Sequence, residues 1–249
     1  MAERYSLFAL RTRYNLIIYL TILYISAIIL LMIKIYCQDN LQLLRTIEDN
    51  SIKLIYSDIL YGTGKKYQNF ADLKPIRSEI EKHYYPRFEE MKRVLSEDGN
   101  IYIQMDWRIN HWIRLILDDV FGYENFRNEI IWSYNSAPRK KGHFGNRHDT
   151  IYRYTKTNKF YFNEDGVREP YALSAPRGYE KEKYYNPLGK VIGDVWQINI
   201  LGQNDKSRVY DTQKPLELMS RIIKSSSEEG DLCADFYAGS HSFGLVCKQ

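Results

Sequence analysis

Cysteine is scarce in this 249-residue sequence: Cys37, Cys233 and Cys247 are far apart and odd in number. That argues against a disulfide scaffold, and with no ligand spacing among them no metal site is expected; reduced thiols in a cytosolic protein are the default. Internal repeats are absent, which excludes a solenoid or propeller. No low-complexity linker divides the chain into modules. A surplus of one charge sign is missing too. Lys and Arg number 35 against 31 Asp and Glu, a formal net charge of +4, so composition alone does not demand a nucleic-acid partner. What is present is a hydrophobic share of 44% and a charged share of 27%, enough for one substantial α/β domain with a small insertion. Tyrosine stands out at 22 residues. Most of these rings would pack a core, and some could stack on bases.

One long uncharged run breaks the pattern. Leu16–Ile33, LIIYLTILYISAIILLMI, follows Arg11 and Arg13 and precedes Lys34. At roughly 18 residues it is long enough for a membrane helix, and it suits a buried helix or a pair of core strands equally well. No small-residue cleavage site follows, so a secretory signal is a poor reading. The positive-inside rule would put the rest of the chain outside the cell, which conflicts with the chemistry found downstream. Residues 1–33 are therefore set apart as an apolar segment, membrane helix or core filler. The membrane reading is disfavoured and a cytoplasmic location is expected.

Downstream, strands and helices alternate. Strands are expected at 33–40, 51–58, 99–106, 128–134 and 231–240, with a strand pair at 149–156 and 159–163. Helices are expected at 41–47, at 76–95 with an interruption near Pro86, at 111–122 up to Gly122, and at 215–227 behind Pro215. This alternation implies a mostly parallel sheet with helices on both faces. Ligands of such sheets gather at the carboxyl ends of the strands. Three expected strands end in an acid, Asp39, Asp58 and Asp106, and a fourth carries Asp235 just before a glycine turn. Each acid has an ordinary explanation as a helix cap or solvated strand end, preferred for Asp106. Several acids at one edge beside a glycine turn make a cofactor pocket the alternative.

The ordered series DILYGTGK, DWRINHW, FRNEIIW, RHDTIYRY and TQKPLELMSRIIKSSSEEGDLCADFYAGS resembles the β-class amino-methyltransferases of DNA, the adenine-N6 and cytosine-N4 enzymes of restriction–modification systems. The resemblance runs from about Lys34 to Gly244. It implies a circularly permuted Rossmann-like α/β fold with S-adenosyl-L-methionine (SAM) as methyl donor. Double-stranded DNA is the implied substrate and a cognate restriction endonuclease the implied partner. DILY (58–61) stands where the family has D-P-P-Y or D-P-P-F. By that resemblance Asp58 would accept a hydrogen bond from the target amine, and Tyr61 would stack on a base flipped from the duplex. An initial Asp points to adenine N6. Asp39 matches the acid that meets the cofactor's adenine, and Thr212, Gln213 and Lys214 match the segment at its methionine end. Asp235, Phe236, Gly239 and Ser240 match the cofactor turn, where Gly239 alone has no Cβ. Arg139, Lys140, Lys141, Arg147 and His148 fall where the family approaches DNA, although for any single lysine a solvated loop is the simpler reading. Residues 164–207 would be the target-recognition segment.

Three departures shape the expected activity. Ile59 and Leu60 replace both prolines of the catalytic turn, which removes the rigidity of two fixed φ angles. His241 stands where the family has glycine, placing a side chain beside the cofactor and penalising a positive φ. The sequence stops at Gln249, ahead of the strand whose acid holds the ribose in the family. The expectation is a catalytic half at 34–163 and an incomplete cofactor half at 208–249, in a DNA adenine-methyltransferase of impaired activity. The alternatives are an active adenine-N6 or cytosine-N4 enzyme with a divergent turn, and a non-catalytic DNA-binding remnant.

Overall fold

The computed structural model describes residues 33–66, 71–135, 141–171, 186–202, 205–206, 208–209 and 212–248. Residues 1–35 and 36–249 form separate units. The apolar run through residue 32, and Arg139 and Lys140 of the basic loop, lie outside the described residues.

The larger unit is built on α1 (Asn40–Leu44), β1 (Ile52–Asp58), α2 (Arg77–Val94), β2 (Leu95–Met105), α3 (Asn110–Phe121), β3 (Phe126–Ser133) and β4 (His148–Thr155). After a small antiparallel pair, β5 (Arg168–Glu169) with β6 (Lys190–Val191), come β7 (Val195–Gln197), α4 (Leu216–Ser226), β8 (Cys233–Asp235) and α5 (Ser242–Cys247). Six strands form one sheet in the order β7-β3-β4-β2-β1-β8. The β1–β2, β1–β8 and β3–β7 pairings are parallel, while β4 runs antiparallel to both its neighbours.

Alternation along the strands feeds two cores. On one face Ile55, Ile101, Ile103, Met105, Tyr152 and Tyr154 meet Ile80, Tyr84, Phe88 and Met91 of α2 and Ile113, Ile116 and Leu117 of α3. On the other, Leu54, Tyr56, Tyr102, Trp132 and Ile151 meet Leu218, Met219 and Ile222 of α4 and Phe243 and Val246 of α5. Each large apolar side chain so buried stabilises the fold by about 1.5–3 kcal/mol before entropy is counted. The Tyr56 ring stacks on Phe243 at 5.5 Å, which docks the last helix on β1.

Several expectations are corrected. Residues 33–39 form no strand; Asp39 instead caps α1, accepting from the amides of Leu41 (3.0 Å) and Gln42 (3.2 Å). Residues 159–163 are not a strand either, because β4 finds its partners in β2 and β3. Asp106 is neither a helix cap nor solvated: it is buried, accepts from the Arg108 amide at 2.9 Å and pairs with the Arg108 guanidinium. Gly122 does end α3, at φ 92°.

Helix α2 runs unbroken through Pro86. Its buried stripe, Ile80, Tyr84, Phe88 and Met91, continues on both sides of the proline, so packing on the sheet outweighs the missing amide. Proline in a helix interior still costs up to about 3 kcal/mol. Pro86→Ala should therefore raise the urea midpoint, by roughly 1–3 kcal/mol of stability with an unchanged slope.

Candidate active site

The site arises where one sheet face changes from apolar to polar. Down β1 the face toward α4 and α5 reads Leu54, Tyr56, Asp58. Asp58 is in register with Gln104 of β2, and Gln104 with Ile151 of β4, two residues from Asp149. Tyr56 Oη donates to Gln104 Oε1 at 2.7 Å. Gln104 Nε2 donates to Tyr61 Oη and to Asp149 Oδ2, each at 3.0 Å. Tyr61 Oη lies 2.7 Å from Asp58 Oδ1 and 2.9 Å from Asp149 Oδ2. Tyr134 Oη donates to Asp149 Oδ1 at 3.3 Å, and Lys214 Nζ pairs with Asp58 Oδ2. Burial, reinforced by Asp58, raises the Asp149 carboxyl above its ordinary range against the pull of Lys214. Burial and the two carboxylates push the Tyr61 hydroxyl well up.

The turn after β1 is fixed without proline. Ile59 N–H donates to the Gln104 carbonyl at 3.1 Å, extending the β1–β2 ladder, and the Ile59 side chain is 2% exposed within the core. Tyr84 Oη donates to the Leu60 carbonyl at 2.8 Å. Asp72 accepts from the amides of Gly62 (3.1 Å) and Thr63 (2.8 Å). Gly62 has φ 66°, and a Cβ there would meet Ile109 Cγ2 at 2.7 Å, so this position needs glycine.

A cavity of about 490 Å³ opens beside Asp58. Of the ten residues matched to catalytic and cofactor positions, Asp58, Tyr61, Thr212, Lys214, Asp235, Gly239 and Ser240 border it. Three do not. Asp39 is committed to its cap and to Arg87 at 2.7 Å; burial would raise its carboxyl, but the Gln42 amide and Arg87 hold it below the ordinary value. Gln213 accepts from the Val209 amide at 2.8 Å. Phe236 packs against the α2 side of the sheet, its carbonyl held by Asn40 Nδ2 at 3.0 Å. Gln38 and Tyr237 border the cavity in their neighbourhood. The left-handed residue of the second turn is His241 (φ 59°, ψ 22°) rather than Gly239, and it borders the cavity.

Charge in the site is lopsided. Asp58, Asp72 and Asp235 border the cavity with Lys214, the cation paired with Asp58. Asp235 accepts from the Tyr237 amide at 2.9 Å, and burial, with Asp58 adding, pushes it up to about 7. Such a pocket favours a cationic ligand beside an exposed hydrogen-bond acceptor. No cluster among the described residues could hold a metal ion, and no described helix is long and apolar enough to cross a membrane.

The basic loop leaves β3 and enters β4 at this same edge, where the Tyr134 amide donates to the Arg147 carbonyl at 3.0 Å. Lys141, Arg147 and His148 are exposed. So is Phe144, at 98%.

Two substitutions should move stability in opposite directions. Ile59→Pro deletes the amide that the buried Gln104 carbonyl uses, and should cost about 1–3 kcal/mol. His241→Gly relieves a left-handed residue and should gain about 1 kcal/mol. Urea unfolding of each variant beside the parent checks both.

Comparison with known proteins identifies the family and the fold. The family model of N6/N4 DNA methylases matches residues 52–249. The type II methyltransferase M.HpaI of Haemophilus parainfluenzae is 33% identical over 221 residues, covering 86% of this chain and 66% of that protein. The chain thus spans slightly less than two thirds of that relative's length. The DNA adenine methyltransferase YhdJ of Escherichia coli (strain K12) is 31% identical over 216 residues, 84% of this chain and 72% of that one. The solved PvuII DNA methyltransferase, cytosine-N4-specific, has the same Rossmann-like fold at a TM-score of 0.62 and 17% identity, over 86% of this chain and 77% of that one. Residues 52–249 are most of the sequence, and the protein belongs to the N6/N4 family of DNA methylases.

Proposed function

We propose that this protein is a SAM-dependent DNA methyltransferase acting on the N6 amine of adenine. The observation that carries the reading is a carboxylate acceptor, Asp58, at the rim of a cavity closed by the Asp235–Ser240 turn. The cavity fits the donor in size, small-molecule sites running from about 300 to 1,000 Å³. It fits in charge as well, since Asp58, Asp72 and Asp235 border it with Lys214 and the donor carries a sulfonium and an ammonium. Thr212, Lys214, Asp235, Tyr237 and Ser240 would hold it. Once bound, SAM supplies an electrophilic methyl group.

The chain's own residues do the rest. Asp58 accepts a hydrogen bond from the target amine once Lys214 moves aside, which leaves the nitrogen lone pair richer toward the methyl group. The Leu60 carbonyl already accepts from Tyr84, so the Ile59 carbonyl would be the freer second acceptor of the turn. Tyr61, clamped through its hydroxyl, offers its ring to the flipped base. Flipping is required because the amine is unreachable inside a duplex. Lys141 and Arg147, with Arg139 and Lys140, would contact phosphates, and binding would weaken as salt rises. Residues 164–207 would read the target and 208–249 would complete the cofactor half. The setting is the cytoplasm, with a cognate endonuclease as partner. Adenine is favoured by the leading Asp58 and by the likeness to YhdJ.

Turnover should be slow. Both Asp58 oxygens are already engaged, by Tyr61 and Lys214, and His241 adds bulk and strain at the cofactor turn. The test supplies tritiated SAM and unmethylated DNA to the purified protein and digests the product to nucleosides. Slow label in N6-methyldeoxyadenosine, abolished in Asp58→Ala, is the expected outcome. Label in N4-methyldeoxycytidine would overturn the choice of base. DNA binding without SAM binding by calorimetry would make the protein a binding module. Fast turnover would overturn the impairment.

A further inference from the structure

Asp58, Tyr61 and Asp149 are one hydrogen short. Tyr61 Oη lies 2.7 Å from Asp58 Oδ1 and 2.9 Å from Asp149 Oδ2, and each oxygen–oxygen contact at that separation needs its own hydrogen. A tyrosine hydroxyl has one, and an ionised carboxylate has none. Gln104 cannot make up the difference. Its Nε2 already donates to both Tyr61 Oη and Asp149 Oδ2. Turning its amide over would put Oε1 against Asp149 Oδ2 at 3.0 Å, and the deficit would grow. The Tyr134 hydroxyl serves the other oxygen of Asp149. One carboxyl must therefore carry the missing hydrogen, and Lys214 decides which. Its ammonium donates to Asp58 Oδ2, which leaves the missing hydrogen to Asp149. Asp149 is 6% exposed and has no cation among its hydrogen-bond partners.

We propose that Asp149 is a neutral carboxylic acid that donates its hydrogen to Tyr61 Oη, so that Tyr61 must donate its own to Asp58. Asp149 is then a positioning residue. Donors aligned in a chain strengthen one another, and the chain Asp149→Tyr61→Asp58 ends in one negative charge at the cavity rim. Burial raises the Asp149 carboxyl in the direction this requires. The groups facing it are Asp58, Tyr61 and Tyr56 from β1 and its turn, Gln104 of β2, Tyr134 beyond β3 and Lys214 ahead of α4, with Asp235 of β8 farther off.

The test compares Asp149→Asn with the parent. Asparagine keeps a neutral donor toward Tyr61 and cannot ionise; the bond that Asp149 Oδ2 accepts from Gln104 is lost with it, an offset that does not vary with pH. A raised folded-state pKa gives stability that is complete below the unfolded value and lost as pH rises through the folded one. Between pH 5 and the folded value, the parent should lose ground to Asp149→Asn by up to tenfold in the folding constant per pH unit. Asp235 adds the same fall to both proteins and cancels. A difference that is flat with pH, or that grows in the parent's favour, overturns the proposal. Infrared spectra of the free parent at pH 6, where Asp235 with its value of about 7 also contributes, should show a further protonated carboxyl band, the one that shifts in Tyr61→Phe. That reading stands even if Asp149→Asn does not fold, and absence of the band also overturns the proposal. The catalytic role given to Asp58 rests on the methyltransferase reading, whereas both measurements use the free protein. A band without methyl transfer would sink that reading and leave this one standing.

Discussion

The in-register pairing of β1 with β2 is the constraint on which the site depends. Because Leu54 pairs with Asn100 and Asp58 with Gln104, a single face is apolar under α4 and α5 and polar at the strand ends. A slip of one residue would turn Asp58 toward α2 and bury a carboxylate among Ile80, Tyr84 and Phe88. Ile59 locks the register, since its amide carries the ladder one step past the strand and its side chain fills the core beneath. Cofactor cavity, acceptor and tyrosine clamp all follow from that one alignment.

Much of this was legible in the sequence, and the limits are physical. Helices α2, α3 and α4 showed themselves by periodicity and end signals, and β1 and β2 by apolar runs closing in polar residues. Seven of the ten residues matched to the catalytic and cofactor positions border one cavity. Asp39 misled because an acid ahead of LQLLRTI reads equally as a strand end or as a helix cap, and only the arrival of Arg87 from α2 settles its use. The 159–163 segment alternates like a strand, but β4 had no open edge for it. Gln104 carried a usable signal, a lone polar residue in IYIQM. Asp149 carried only its match, with His148, to the HDTI step after the basic loop; its place beside Tyr61, Gln104 and Tyr134 is created by three other strands converging on it.

The missing prolines change meaning once the turn is seen. A Pro-Pro step stiffens a backbone by restricting it. Here hydrogen bonds from Ile59, to Leu60 and onto Asp72 hold the same stretch from outside. Ile59→Pro would exchange one kind of restraint for the other and lose a buried pairing in the process. Rigidity of the turn is thus a property of its neighbours β2, α2 and Asp72. His241 is a different matter, since no hydrogen bond from its side chain caps α5 or offsets its left-handed backbone.

Lys214 couples two occupants of the site. Its ammonium rests on Asp58, yet it stands on the segment that borders the cavity before α4. Any ligand whose anionic group draws Lys214 inward uncovers Asp58 for a hydrogen-bond donor at the rim. Any donor that displaces Lys214 from Asp58 makes the cation available to the cavity. The two affinities must then favour each other by the same factor, whichever arrives first. The ion pair acts as a shared latch, and its strength sets how far either ligand, alone, can open the site.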